Sequence, residues 1–108
     1  MGTYFPGDVL LARVRLPGRS DPKTRPVVVR ACLPGGVLEV VPVTSRIPVH
    51  GSCLPLSPGD FGEGGLDICD ESYVLVGITV TVTTGEVIGK KGRLNAKTMA
   101  DIPCRREG

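Results

Sequence analysis

The chain has 108 residues, a mass of 11.4 kDa, 41% hydrophobic residues and a formal net charge of +2, with 15 Gly, 10 Pro, two Phe, two Tyr and no Trp. These values fit one domain with a modest aliphatic core, and they exclude a disordered chain and an aromatic-rich core. So small a charge permits nucleic-acid binding without demanding it, and the absence of an apolar run near ~20 residues excludes a membrane-spanning helix.

The four cysteines, Cys32, Cys53, Cys69 and Cys104, include no C-x-x-C pair of the zinc or redox kind. Met1-Gly2-Thr3-Tyr4-Phe5-Pro6 has neither the basic nor the apolar region of a secretion signal. The expectation is a cytoplasmic chain, free of the membrane, whose thiols stay reduced and behave as small hydrophobes.

Asp8 to Arg15 (DVLLARVR) reads as the first strand, apolar on both faces as in a closed or tightly folded sheet. Leu16 to Thr24 is a loop with Pro, Gly and positive charge at Arg19 and Lys23. Arg25 to Cys32 (RPVVVRAC) is the second strand, and Pro26, lacking an N–H, belongs at its start or on an edge. Pro34-Gly35-Gly36 turns the chain into a third strand, Val37 to Thr44, so that the two form a hairpin. Pro42 inside that strand predicts a bulge or a sheet edge.

Ser45 to Ser52 is a loop carrying the only histidine, His50, and Cys53 to Leu56 a short strand. The run from Ser57 to Asp67 reads as a glycine-rich connection. Ser72 to Thr83 (SYVLVGITVTVT) is the strongest strand signal, with Gly77 marking a kink or a close backbone approach. Glu86 to Lys91 is a short strand or turn. Asn95 caps a helix from Ala96 to Ile102, with Leu94 stapling its start, Met99 and Ile102 as an apolar pair, and Pro103 ending it. Residues 103–108 are a polar tail. About five to seven short strands and one late helix, filling one domain from 1 to 108 with its core at 5–102, predict a mostly-β fold: an SH3-like barrel with a C-terminal helix.

Several segments, in order, carry a resemblance: Gly7-Asp8-Val9, Thr24-Arg25-Pro26-Val27-Val28-Val29, Pro42-Val43-Thr44-Ser45, Asp60-Phe61 with Gly64-Gly65-Leu66, Ser72-Tyr73-Val74, and Lys90-Lys91-Gly92-Arg93-Leu94. From Phe5 to Ile102 the chain resembles the PemK/MazF family of toxin endoribonucleases. The resemblance implies a homodimer of SH3-like barrels that cuts single-stranded RNA without a metal or other cofactor. It also implies attack by the ribose 2′-OH to leave a 2′,3′-cyclic phosphate, and restraint by a cognate antitoxin.

By the same resemblance Arg25 and Thr44 match the catalytic residues. A guanidinium can neutralise the charge gathering on the phosphate, and a threonine hydroxyl can position the 2′-OH or donate to a phosphate oxygen. Arg19, Lys23, Ser45, Arg46 and His50 are candidate RNA contacts, with Arg13 and Arg15 as further phosphate partners. His50 is the one side chain whose ordinary pKa lies near neutrality. Many relatives carry an Arg and an Asp where this chain has Leu75 and Gly77, neither of which can transfer a proton or bind phosphate. The alternative function is therefore an RNA- or partner-binding module that has lost its chemistry. A peptide-binding barrel fits less well, because the grooves that bind proline peptides are lined with aromatic residues.

Overall fold

The computed structural model describes residues 4–15, 22–44, 54–56, 59, 61–64, 72–75 and 79–101. Their elements in chain order are β1 (Asp8–Val14), β2 (Lys23–Leu33), β3 (Val37–Thr44), β4 (Leu54–Leu56), β5 (Phe61–Gly64), β6 (Ser72–Val74), β7 (Val80–Thr83), a 3-10 turn (Thr84–Glu86), β8 (Val87–Leu94) and α1 (Ala96–Asp101). The strands form one antiparallel sheet in the order β4-β6-β3-β2-β1-β8-β5, with β7 also on β3. The mostly-β barrel with a short C-terminal helix expected from the sequence is the fold observed, with eight strands among the described residues.

Strand alternation sends side chains to two apolar clusters. Val9 of β1, Val28 of β2, and Val41 and Val43 of β3 join Leu56, Val74 and Leu94 on one face, where Phe61 and Met99 pack partly buried. Leu10, Ala12, Val14, Val27, Val29, Leu38 and Val40 occupy the other face and are covered by Val82. β7 runs along β3 and packs back against β1, so Val80 and Val82 cover the second face, while Leu54, Phe61 and Met99 pack against the first. The apolar faces of β1 reflect this closure.

The run from Ser72 to Thr83 is not the continuous strand expected. Both of its ends pair with β3, but in different registers. Continuing the Val43↔Val74 pairing along β3 would set Val40 against Gly77, whereas Val40 stands against Val80. The two registers on β3 differ by three residues, and the alternation at Val80 to Thr83 belongs to β7 alone.

Pro42 is correspondingly no edge residue. It is buried within β3 and pairs with Val27. It sits where the neighbour on β3's other side changes from β7 to β6, and its carbonyl accepts the Leu75 N–H at 2.9 Å. A missing N–H costs little where the neighbouring strand is interrupted. Pro26 faces Leu11 of β1, while β3 pairs with β2 only from Val27 onward, so the edge position expected for it holds on one side.

Two strands were under-read. β5 lies in the presumed connection, and β8 runs for eight residues between β1 and β5. Their glycines hide the usual side-chain pattern, and backbone pairing, β8 with β1 and β5 with β8, holds them instead. Asn95 does cap α1: its Oδ1 accepts the Thr98 N–H at 2.8 Å. Buried Leu94 and half-buried Met99 anchor the helix to the sheet, while Ile102 lies outside the described residues.

Gly7 and Asp8 tie these parts together. Gly7 has φ +99°, donates to the Val29 carbonyl at 2.8 Å and accepts from the Leu94 N–H at 2.9 Å. A Cβ there would stand 3.4 Å from the Met99 side chain. Gly7→Ala should therefore lower stability by about 1–3 kcal/mol through left-handed strain. In urea unfolding the midpoint falls and the slope stays unchanged; a midpoint equal to that of the parent would refute the strain.

Candidate active site

Arg25 lies in β2 opposite Ala12 of β1, on the face that also carries Val27 and Val29. The last β2–β3 pair is Val27↔Pro42, and the same register carried two residues further sets Arg25 level with Thr44. Opposed residues of antiparallel strands share a face, so two strands deliver the guanidinium and the hydroxyl to the same end of the sheet. Both residues are half-buried. Thr44 is held on its other side by pairing with Tyr73 of β6, itself buried between β3 and β4.

The cations differ in what holds them. Arg30 donates from Nε to Glu39 Oε1 at 3.4 Å, and its Nη2 donates to Thr79 Oγ1. Arg93 and Lys90 meet the buried Asp8 carboxylate at 2.9 and 3.5 Å. Arg13, Arg15, Lys23 and Arg25, by contrast, make no ion pair or side-chain hydrogen bond among the described residues. The β1–β2 pairing brings them to one end of the sheet but divides them between its faces: Arg13 faces Thr24, whereas Val14 faces Lys23 and Ala12 faces Arg25. Lys23 and Arg25 are two residues apart in one strand and so point to one face, about 7 Å apart along it.

Beside this group a cleft of about 320 Å³ opens at the end of β1, between Val14 and the β7 residues Val80 and Val82. Arg25 does not line it; Arg13, Arg15 and Glu86 do. The sequence did not disclose the cleft, because it depends on β7 returning to β1. Its arginines were visible only as isolated charges.

The remaining candidates divide simply. Lys23 is exposed on the same face as Arg25. Arg19, Ser45, Arg46 and His50 lie outside the described residues, as does Gly77. Leu75 follows β6 directly and is 7% exposed, bonded through its N–H to Pro42 two residues before Thr44. Cys32 is an exposed free thiol that donates to the Tyr4 carbonyl at 3.0 Å. Desolvation and the Asp8 charge push its pKa up, which makes it a poor nucleophile.

No protein-family model matches the chain, and no curated protein does. Solved structures do match, among them the Mycobacterium tuberculosis toxin MazF-mt6, at 17% sequence identity and a TM-score of 0.64, covering 88% of this chain and 87% of that one. The chain thus has a MazF-like fold over nearly its full length. At that identity the likeness is one of fold.

Proposed function

We propose that this chain is a metal-independent endoribonuclease of the toxin–antitoxin type, acting on single-stranded RNA. The observation that carries the proposal is Arg25: a half-buried guanidinium with no carboxylate partner among the described residues, which the β2–β3 register, continued two residues past Val27↔Pro42, sets level with Thr44. A cation so placed is an anion receptor, and a phosphodiester supplies an anion of matching geometry.

In the proposed reaction the ribose 2′-oxygen bonds to phosphorus and the bond from phosphorus to the next 5′-oxygen breaks. The 2′ proton passes to a base and the 5′-oxygen takes up a proton. The products are a 2′,3′-cyclic phosphate and a 5′-OH. Arg25 stabilises the charge on the equatorial oxygens, and Thr44 orients the 2′-OH. A homodimer in the cytoplasm and a cognate antitoxin belong to the same proposal, with growth arrest on expression. Incubating the chain with mixed single-stranded RNA in EDTA tests it: fragments with 5′-OH ends support it, and intact RNA at concentrations where the fold is present counts against it.

Lys23 is an RNA contact in this scheme. Lys23→Ala should weaken single-stranded RNA binding evenly across sequences and reduce the slope of log K against log salt by about 0.7. An unchanged slope would remove Lys23 from the interface.

One observation favours a second reading, a binding module without chemistry. Leu75 is buried against β3 where many PemK/MazF relatives carry a polar catalytic side chain. In that case RNA binds and Arg25 still matters for affinity, but no cleavage occurs.

A further inference from the structure

We infer that the cleft between the end of β1 and β7 is a nucleotide subsite, seating one nucleotide that flanks the scissile bond of a bound single strand. This rests on the RNA reading given above and extends it to a place and a ligand. The cleft has a volume of about 320 Å³, at the small end of ligand pockets and suited to one nucleotide rather than a longer segment. Its walls fall into two chemical parts. Val14, Val80 and Val82 form an apolar floor continuous with the buried cluster behind them. Arg13 and Arg15 stand on the rim, exposed and with no ion pair among the described residues.

A base laid over aliphatic side chains with its phosphate against two guanidiniums satisfies both parts together. A bare inorganic anion would leave the floor uncovered, and an apolar ligand would leave the cations unanswered. Position adds a further argument. Val14 at the cleft faces Lys23, and two residues back along β1 Ala12 faces Arg25. A strand of RNA whose scissile phosphate sits at Arg25 can pass Lys23 and reach the Val14 floor on the same strand face, and Arg13 and Arg15, which alternate with Val14, border the cleft from the other side of the end of β1.

Glu86 gives the subsite a preference. It is the one carboxylate among the described residues of the lining. Its Oε1 already accepts from the Thr83 N–H at 2.8 Å, closing the 3-10 turn and fixing the side chain. A carboxylate only accepts, so it favours bases with an exocyclic amino group, cytosine, adenine or guanine, over uracil.

The test is an amide chemical-shift titration of the full chain with CMP, UMP and inorganic phosphate, repeated on R13A/R15A. CMP should move the amides of Val14, Val80, Thr81 and Val82 and bind more tightly than UMP. The double variant, whose exposed side chains leave the fold intact, should bind about tenfold or more weakly. If inorganic phosphate reproduces the shifts and affinity of CMP, the cleft is a bare anion patch and the subsite is refuted. If CMP leaves these amides unmoved while RNA is still cut in an Arg25-dependent way, the subsite fails and the ribonuclease reading stands. If CMP binds there and the chain cuts no RNA, the subsite stands and the ribonuclease reading fails.

Discussion

Arg25→Ala should reduce RNA cleavage by roughly 10²–10³-fold, the usual loss when one fixed donor to a developing charge is removed. The residue is half-buried beside the closed part of the sheet, where the local dielectric strengthens its attraction for a phosphorane. It makes no ion pair or hydrogen bond among the described residues, so alanine leaves no orphaned partner there and the fold should persist. Arg25→Lys separates charge from geometry. It keeps the cation but loses the two parallel N–H donors, and its rate should fall between those of the parent and the alanine variant. The measurement is the rate of 5′-OH end formation in EDTA, with thermal unfolding of each variant as the control. A folded Arg25→Ala protein that cuts as fast as the parent would sink the mechanism. Silence from both proteins would shift the reading to the binding module that buried Leu75 suggests.

Much of the fold was legible where side chains carry the pattern. Val37 to Thr44 is a valine-rich run that ends on a threonine and forms the strand predicted for it. Asn95 with three helix-compatible residues after it announced its cap. What stayed hidden is held by backbone. β8 contains Gly89, Gly92 and two lysines, a poor strand by propensity, yet it pairs with strands on both sides. The three-residue slip that splits Ser72 to Thr83 is likewise a matter of register, which no local pattern records. The site follows the same division. Arg25 and Thr44 could be named from the sequence, but their alignment rests on carrying the β2–β3 register two residues past Val27↔Pro42. The Arg13 and Arg15 cleft needs β7 to close on β1.

Asp8 was visible only as the residue that opens β1, and its replacement should have the largest effect on stability. Its side chain is fully buried. One oxygen accepts the Phe5 N–H at 2.9 Å; the other meets Arg93 at 2.9 Å and Lys90 at 3.5 Å. Arg93 also lies over the Phe5 ring at 5.6 Å, so the carboxylate joins the N-terminal segment, β1 and β8. Asp8→Ala leaves a backbone donor and two half-exposed cations without this acceptor and should cost about 3 kcal/mol at neutral pH. Burial acts most strongly on the carboxyl and raises its pKa; the Phe5 N–H, the Arg93 bond and the two positive charges together outweigh it and hold the pKa below the usual 3.8. The unfolded chain therefore binds the proton more readily than the folded one. The stabilisation is complete above the unfolded value and is lost as pH falls through the depressed folded value. Urea unfolding of parent and Asp8→Ala between neutral pH and pH 2 should give two curves that converge in acid. Parallel curves would mean that Asp8 stabilises through packing alone, and that its charge contributes nothing to the joint between β1 and β8.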